Sequence, residues 1–344
     1  MYIVAMILAA LAALALGSAS AAEPSAALRG RLQAMRAKGP VPLIDVSSTF
    51  DDLVLNPAPL ARRLDLYGVA LMGVSCEVAS SPFITDAEDW EACARRADAE
   101  PSGALAGLPT GDFAWAPRMI PEVDAYVLLA QIEAAAKRGV PAAGPVRLWA
   151  FPHYLEDKRL ETGAAHLDAI PMDGEIAARL LGLSEKTGIV VQFVVEADDR
   201  VLPEFDALLS RHPKANVIWA RAGRVDGRAD STLYSAAYVS GMLERHPNLY
   251  LDLSSGKNNQ WQWDKAPKDF LNHGSQGGMN PEWKSLIEAH PWRFLSALGL
   301  GPLDSAEVKQ AVGRQRAILA QLSPATREIV AYKAAWKLLY HESL

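Results

Sequence analysis

Four ionisable residues stand at or near the ends of short apolar runs: Asp45 after "VPLI", Glu196 after "IVVQFVV", Arg221 in "IWARAG" and Asp252 in "LYLDLS". A carboxylate at such a position can act as a general base, and an arginine can stabilise developing negative charge. Arg221 can also grip a ligand carboxylate through its planar fork. A purely structural use is equally open. A buried guanidinium needs a counter-charge, because an unpaired buried charge is expensive, and Asp45 or Glu196 could supply it. Arg147, in the run "VRLWAF", offers a second positive group if its side chain turns inward.

The remaining candidates sit in loops. His153 follows the run Val146–Phe151, His166 lies in the next loop, and His273 belongs to the stretch from Gly256 to Gly278. That stretch also holds Trp261 and Trp263 among amides, a composition that suits the wall of a ligand site. None of these histidines is paired as His-x-His or His-Glu-x-x-His. The chain has no Gly-x-Gly-x-x-Gly, no P-loop and no Gly-x-Ser-x-Gly.

The elements that must carry these residues alternate. Apolar runs at Val41–Val46, Gly68–Val74, Asp112–Ala116, Val146–Phe151, Ile189–Val195, Asn216–Ala220, Leu249–Leu253 and Arg293–Ala297 read as strands. Helical patterns fall at Glu122–Arg138, Gly174–Lys186, Pro203–Arg211, Thr232–Arg245 and Pro281–Ala289. Ser305–Leu322 and Pro324–Tyr340 read as closing helices. Eight strands, apolar on both faces and separated by helices, predict a single-domain α/β fold, a (β/α)8 TIM barrel. Three His-Pro steps, at His212, His246 and His290, each end a helix and precede a strand. Proline stops the helix, so these histidines are expected in turns on the strands' N-terminal side.

The series "NVIWARAG", helix, His-Pro, "NLYLDLS", then "PEWKSLIEAHPWRFLSALGL" and "ILAQLSPATREIVAYKAAWKLLY" resembles the amidohydrolase-related branch of the amidohydrolase superfamily. The resemblance runs from about Pro42 to Tyr340. It implies a divalent metal such as zinc, held by Asp-x-His-x-His on strand one, a His on strand five, a His on strand six and an Asp on strand eight. Residues i and i+2 of a strand share a face, so two imidazoles converge on one ion that activates water. Here the first motif reads Asp45-Val46-Ser47-Ser48-Thr49, so Ser47 and Thr49 stand for the histidines. Val194 or Val195 stands at strand five, Arg221 at strand six and Gly299 at strand eight. Hydroxyls, valine, arginine and glycine cannot hold the ion. The resemblance therefore implies a divergent member without metal or other cofactor, in which catalysis is an open question. Three readings stay open: a ligand- or partner-binding barrel, a hydrolase or lyase acting without metal through Asp45, Glu196 and Arg221, and an enzyme with a metal site rebuilt from His153, His166 or His273.

Composition bounds the partners. The 344 residues are 50% hydrophobic and 22% charged, which excludes wholesale disorder. A net charge of −6 disfavours nucleic acid, whose phosphates need a basic surface. A mildly acidic soluble protein fits better, and the charge says nothing finer about partners; the small-molecule ligand is expected from the barrel's vacated pocket, and homo-oligomerisation stays open.

The uncharged run Ile3–Leu16 is too short to span a bilayer core, which takes about 20 residues. The small residues Gly17–Ala22 follow it, then Glu23-Pro24. This pattern predicts a signal peptide over 1–22 and a periplasmic or secreted barrel over 23–344, off the membrane after cleavage. In that compartment Cys76 and Cys93 could pair. Intact-mass analysis of exported protein should show the chain shortened by about 22 residues; a full-length mass in the membrane fraction would contradict export with cleavage.

Overall fold

Strands and helices alternate through a computed structural model that describes residues 23–51, 57–77, 104–108, 110–111, 130, 146–149, 172, 174–195, 199, 201–223, 231–254, 279–299 and 306–344. Helix α1 (Glu23–Ala37) precedes β1 (Leu43–Asp51), and α2 (Pro57–Tyr67) leads to β2 (Val69–Glu77). Then come β3 (Leu105–Leu108), β4 (Thr110–Gly111), β5 (Val146–Trp149), α3 (Glu175–Thr187), β6 (Val190–Val194) and α4 (Leu202–Arg211). β7 (Asn216–Trp219), α5 (Ala236–Arg245), β8 (Leu249–Asp252), α6 (Pro281–Ala289) and β9 (Phe294–Leu295) follow. Helix α7 (Ala306–Ala320) leads to a last helix in three parts: α8 (Pro324–Glu328), a π-helical turn (Ile329–Lys333) and α9 (Ala334–Tyr340).

Every pairing is parallel, in the orders β1-β2-β3 and β4-β5-β6-β7-β8-β9. One residue separates β3 from β4, and the two pair with β2 and β5 respectively, so they act as one stave broken in the middle. The described residues thus supply eight staves. The third lies earlier than the sequence suggests; the run 112–116 expected there, like the helix expected over 122–138, falls outside the described residues apart from Ala130. The segment "LAGL" has no β-branched residue, so propensity gives it little signal.

Alternation sorts the strand residues into two faces. Phe193 and Trp219 face the helix layer. Trp219 meets Phe205 of α4 edge-on at 5.4 Å and Tyr234 at 6.3 Å, and Tyr234 meets Trp283 of α6 at 5.7 Å. Gln192 and Ile218, one step away on their strands, therefore belong to the lumen.

The barrel closes between its first and last staves without a regular ladder. The Gly299 amide donates to the Ser47 carbonyl at 2.9 Å, and the Leu298 amide donates to the Asp45 carboxylate at 2.8 Å. Below them the Ser296 amide reaches outward to the Val330 carbonyl in the π turn, 3.0 Å away. Oriented to satisfy its neighbours, the buried Gln315 amide of α7 donates to the carbonyls of Ala297 and Leu253, both at 3.1 Å. Gly299 makes its bond at φ 61°, where a Cβ is costly.

The His-Pro turns lie at the opposite rim. His212 and His246 are the C-caps of α4 and α5, and His290 that of α6. An acid on the previous helix fastens two of these turns: Glu185 of α3 meets His212 at 3.3 Å and accepts the Lys214 amide at 3.2 Å. Asp206 of α4 meets His246 at 2.5 Å and Arg245 at 3.0 Å. Burial alone would raise the Asp206 carboxyl, but hydrogen bonds from His246 and Arg245 outweigh it and hold the group below the usual carboxylate range. Glu288 of α6 is depressed in the same way by the Ser323 amide and the Thr326 and Ser323 hydroxyls at the start of α8. Among the described residues no helix is long and apolar enough to cross a membrane.

Two measurements test these fastenings. Gly299→Ala should lower unfolding stability by about 1–2 kcal/mol, read as a lower urea midpoint at constant m-value. A carboxyl depressed in the folded state stabilises above its unfolded pKa, about 4, and that contribution is lost as pH falls toward the folded value. Melting temperature should therefore drop on acidification below about pH 5, and Asp206→Asn should melt lower at neutral pH but lose less on acidification.

Candidate functional site

Parallel strands place all their C-terminal ends on one rim, where βα-loops build barrel sites. Asp45 stands at that rim, 1% exposed. Its Oδ1 accepts from the Ser47 amide at 3.0 Å as well as from Leu298, and its Oδ2 accepts from the Ser48 hydroxyl at 2.5 Å. The turn that lets a carboxylate bond the amide two residues on also distorts the strand. Asp45 pairs with Met72 and Ser48 with Val74, so β1 takes three steps where β2 takes two. Across the bulge Ser48 takes the register position in phase with Asp45, and Thr49 pairs with Ser75 in the opposite phase.

Asp252, at the end of β8, repeats the device. It is fully buried, and its Oδ1 accepts from the Ser254 amide at 3.0 Å and the Ser254 hydroxyl at 2.6 Å. The same oxygen accepts from the backbone amide of Arg221 at 2.9 Å, and Oδ2 accepts from Gln192 Nε2 at 2.6 Å. Four donors match the roughly four acceptor sites of a carboxylate. Ser48, Ser254 and Gln192 were not singled out from the sequence, yet a signal was there. Asp45-Val46-Ser47-Ser48 and Asp252-Leu253-Ser254-Ser255 are the same pattern, and a glutamine inside "VVQFVV" requires a buried partner.

Arg221 is partly exposed and lies just beyond β7. The Arg221 main-chain amide donates to Asp252, and Asp45 accepts from the β1 turn and the seam. Arg221 and Ala222 both adopt left-handed backbone, at φ 57° and 50°. Each costs about 1–2 kcal/mol for a residue with a Cβ, so the surroundings must hold them. Asp252 binds the Arg221 amide, and the buried Tyr234 hydroxyl donates to the Ala222 carbonyl at 2.6 Å. A third carboxylate fastens the next loop. Asp199 accepts from the Ser231 hydroxyl at 2.5 Å, the Thr232 amide at 2.9 Å and hydroxyl at 2.6 Å, and the Leu233 amide at 3.1 Å. Burial would raise its pKa, but these bonds hold it far below the usual carboxylate range. They also keep 232–233 out of α5, which starts at Ala236 behind the N-cap Ser235 rather than at Thr232 as expected.

Arg147 pairs in register with Gln192, and Val194 follows Gln192 by two positions on β6. Glu196, His153, His166, Trp261, Trp263 and His273 lie outside the described residues, as do residues 1–22 and Cys93, the proposed partner of Cys76 in β2.

The residues at the metal positions do not fit a divalent ion. Ser47 and Gly299 meet through their backbones, Asp45 is bound to amides and a hydroxyl, and Arg221 brings a fixed positive charge. Among the described residues no three His, Cys, Asp or Glu converge as a ligand set.

No family model and no curated protein matches the sequence. Solved structures do match. An uncharacterised TIM-barrel protein from Bordetella bronchiseptica aligns with TM-score 0.50 at 14% identity, over 87% of this chain and 98% of its own. A 2,6-dihydroxybenzoate decarboxylase complexed with 2,6-dihydroxybenzoate gives TM-score 0.50 at 11% identity, over 87% and 99%. An amidohydrolase from Burkholderia multivorans gives 0.46 at 16%, over 87% and 99%. At such identities the likeness speaks to architecture, and on that footing the chain has the TIM-barrel fold of the first two structures, with no metal-ligand set among its described residues.

Proposed function

We propose that this barrel has given up metal-dependent hydrolysis and binds a small anionic ligand at its C-terminal rim, with Arg221 as the charged contact. The observation that carries the reading is the placement of Arg221 just beyond β7, partly exposed on a left-handed turn that Asp252 and Tyr234 hold through its main chain and that of Ala222. An arginine so placed suits a carboxylate, which its fork can bind with two parallel hydrogen bonds. Ser47, Thr49, Arg147 and the loop residues His153, Trp261, Trp263 and His273 are proposed as the rest of the ligand's surroundings. Export to the periplasm or beyond, cleavage near Ala22, a Cys76–Cys93 bridge and self-association belong to the same proposal.

The rival reading is metal-free hydrolysis or lysis, with Asp45 or Glu196 as base and Arg221 stabilising the anion. Asp45 enters that reading at a disadvantage, since proton abstraction needs a lone pair aimed at substrate and its oxygens serve the β1 turn and the seam.

Benzoate is a suitable probe, because a solved barrel of this fold carries a hydroxylated benzoate. A ligand at about 100 times its Kd stabilises the folded state by about 2.7 kcal/mol, so saturating benzoate should raise the melting temperature. Arg221→Ala should abolish that rise. An equal rise in the variant, or none with benzoate, acetate or phosphate on the native chain, would overturn the anion reading. Arg221→His should still bind no stoichiometric zinc, since the neighbouring positions add no imidazole; one zinc per chain in that variant would show that the rim retains a metal site.

A further inference from the structure

The left-handed pair at 221–222 changes which way the chain faces. Trp219 turns to the helix layer, against Phe205 and Tyr234. Regular alternation would put Arg221 on that same side, two residues on, inside an aromatic layer with no room for a charge. The break at 221 removes it from that phase, and Arg221 ends partly exposed at the rim. What holds the break is a chain of buried hydrogen bonds from β6 to β8 and back to β7. Gln192 Nε2 donates to Asp252 Oδ2 at 2.6 Å, and Asp252 Oδ1 receives the Arg221 amide at 2.9 Å. On the far side Tyr234 clamps the Ala222 carbonyl at 2.6 Å. Gln192, Asp252 and Tyr234 are each 1% exposed or less.

We infer that Gln192 and Asp252 are positioning residues, and that by holding the 221–222 turn left-handed they set the place of the Arg221 guanidinium in the anion site. The inference rests on the anion reading for its ligand and on the hydrogen-bond chain for its geometry. Gln192 touches no ligand in this scheme. It fixes one carboxylate oxygen so that the other stays aimed at the Arg221 amide.

The test uses the full barrel with benzoate as probe. Gln192→Leu keeps the volume and removes the donor. Backbone carbon chemical shifts at 221 and 222 should lose their left-handed values, and the benzoate Kd should rise about tenfold, the worth of one charge-assisted hydrogen bond. Adding Ala222→Gly, which takes the left-handed region without strain, should return most of the affinity. A merely structural glutamine would lower the melting temperature in both backgrounds alike and leave benzoate affinity unmoved. Tyr234→Phe, which retains the ring, is the second variant should Gln192→Leu fail to fold, and it should act in the same direction. Left-handed shifts that persist in both variants, with native benzoate affinity, would overturn the inference. If the native chain binds none of benzoate, acetate and phosphate, the anion reading fails, and the shifts at 221 and 222 still decide whether Gln192 holds the turn.

Discussion

A closed barrel needs its first strand to find its last, and in this chain a buried carboxylate joins one backbone hydrogen bond in making that meeting. Asp45 binds the amide of Leu298 across the seam while it also bonds Ser47 and Ser48 in its own strand. The bulge in β1, the left-handed glycine at 299 and the reach of Ser296 to the last helix all follow from that arrangement. In the metal-dependent pattern that the sequence resembles, an ion held from several strand ends would cross-link the rim. Here hydrogen bonds do the cross-linking, and a carboxylate committed to amides is lost to coordination chemistry.

Asp252 does for β6, β7 and β8 what Asp45 does for the seam. The two acids share one local pattern and one geometry, an acid bonding the amide two residues on, and each has an oxygen that also reaches an amide from another strand end. The rim is thereby cross-linked from β1 round to β6 by groups that need no ion. Each buried acid gathers several donors, so removing the acid strands several buried donors at once. That concentration of donors on two acids ties the strand ends together through side chains and main-chain amides.

The alternation of strands and helices was legible because β-branched residues mark β6 and β7, and the apolar run "LYL" marks β8, to within a residue or two, and because Asn280-Pro281 announces α6. What stands at the ligand positions of the resembled pattern was legible too, since it needs residue identities alone. The details of the rim were not. A strand pattern assumes regular alternation, and the bulge after Asp45 breaks it through a side-chain bond that no periodicity reports. The Arg221 main-chain bond to Asp252 belongs with these details, because residue identity announces a charge and not the left-handed backbone beneath it. Helices α1 and α2 were passed over for another reason: their apolar residues are spaced among many charges and alanines, and the packing that selects one face is tertiary.

The π turn at Ile329–Lys333 carries a lesson about length. A π-helical turn holds one residue more than an α-helical turn and leaves a carbonyl without its usual partner along the helix. Here that spare carbonyl, at Val330, receives the Ser296 amide beside the seam. The extra residue in the helix thus lies close to the extra residue in β1, one on each side of the last strand. Insertions and deletions are commonly placed in loops, but in this barrel two regular elements have each grown by one residue at the same joint. Removing the helical one would return Val330 to its own ladder and leave the Ser296 amide buried without an acceptor. Chain length at this joint is therefore constrained as tightly as residue identity.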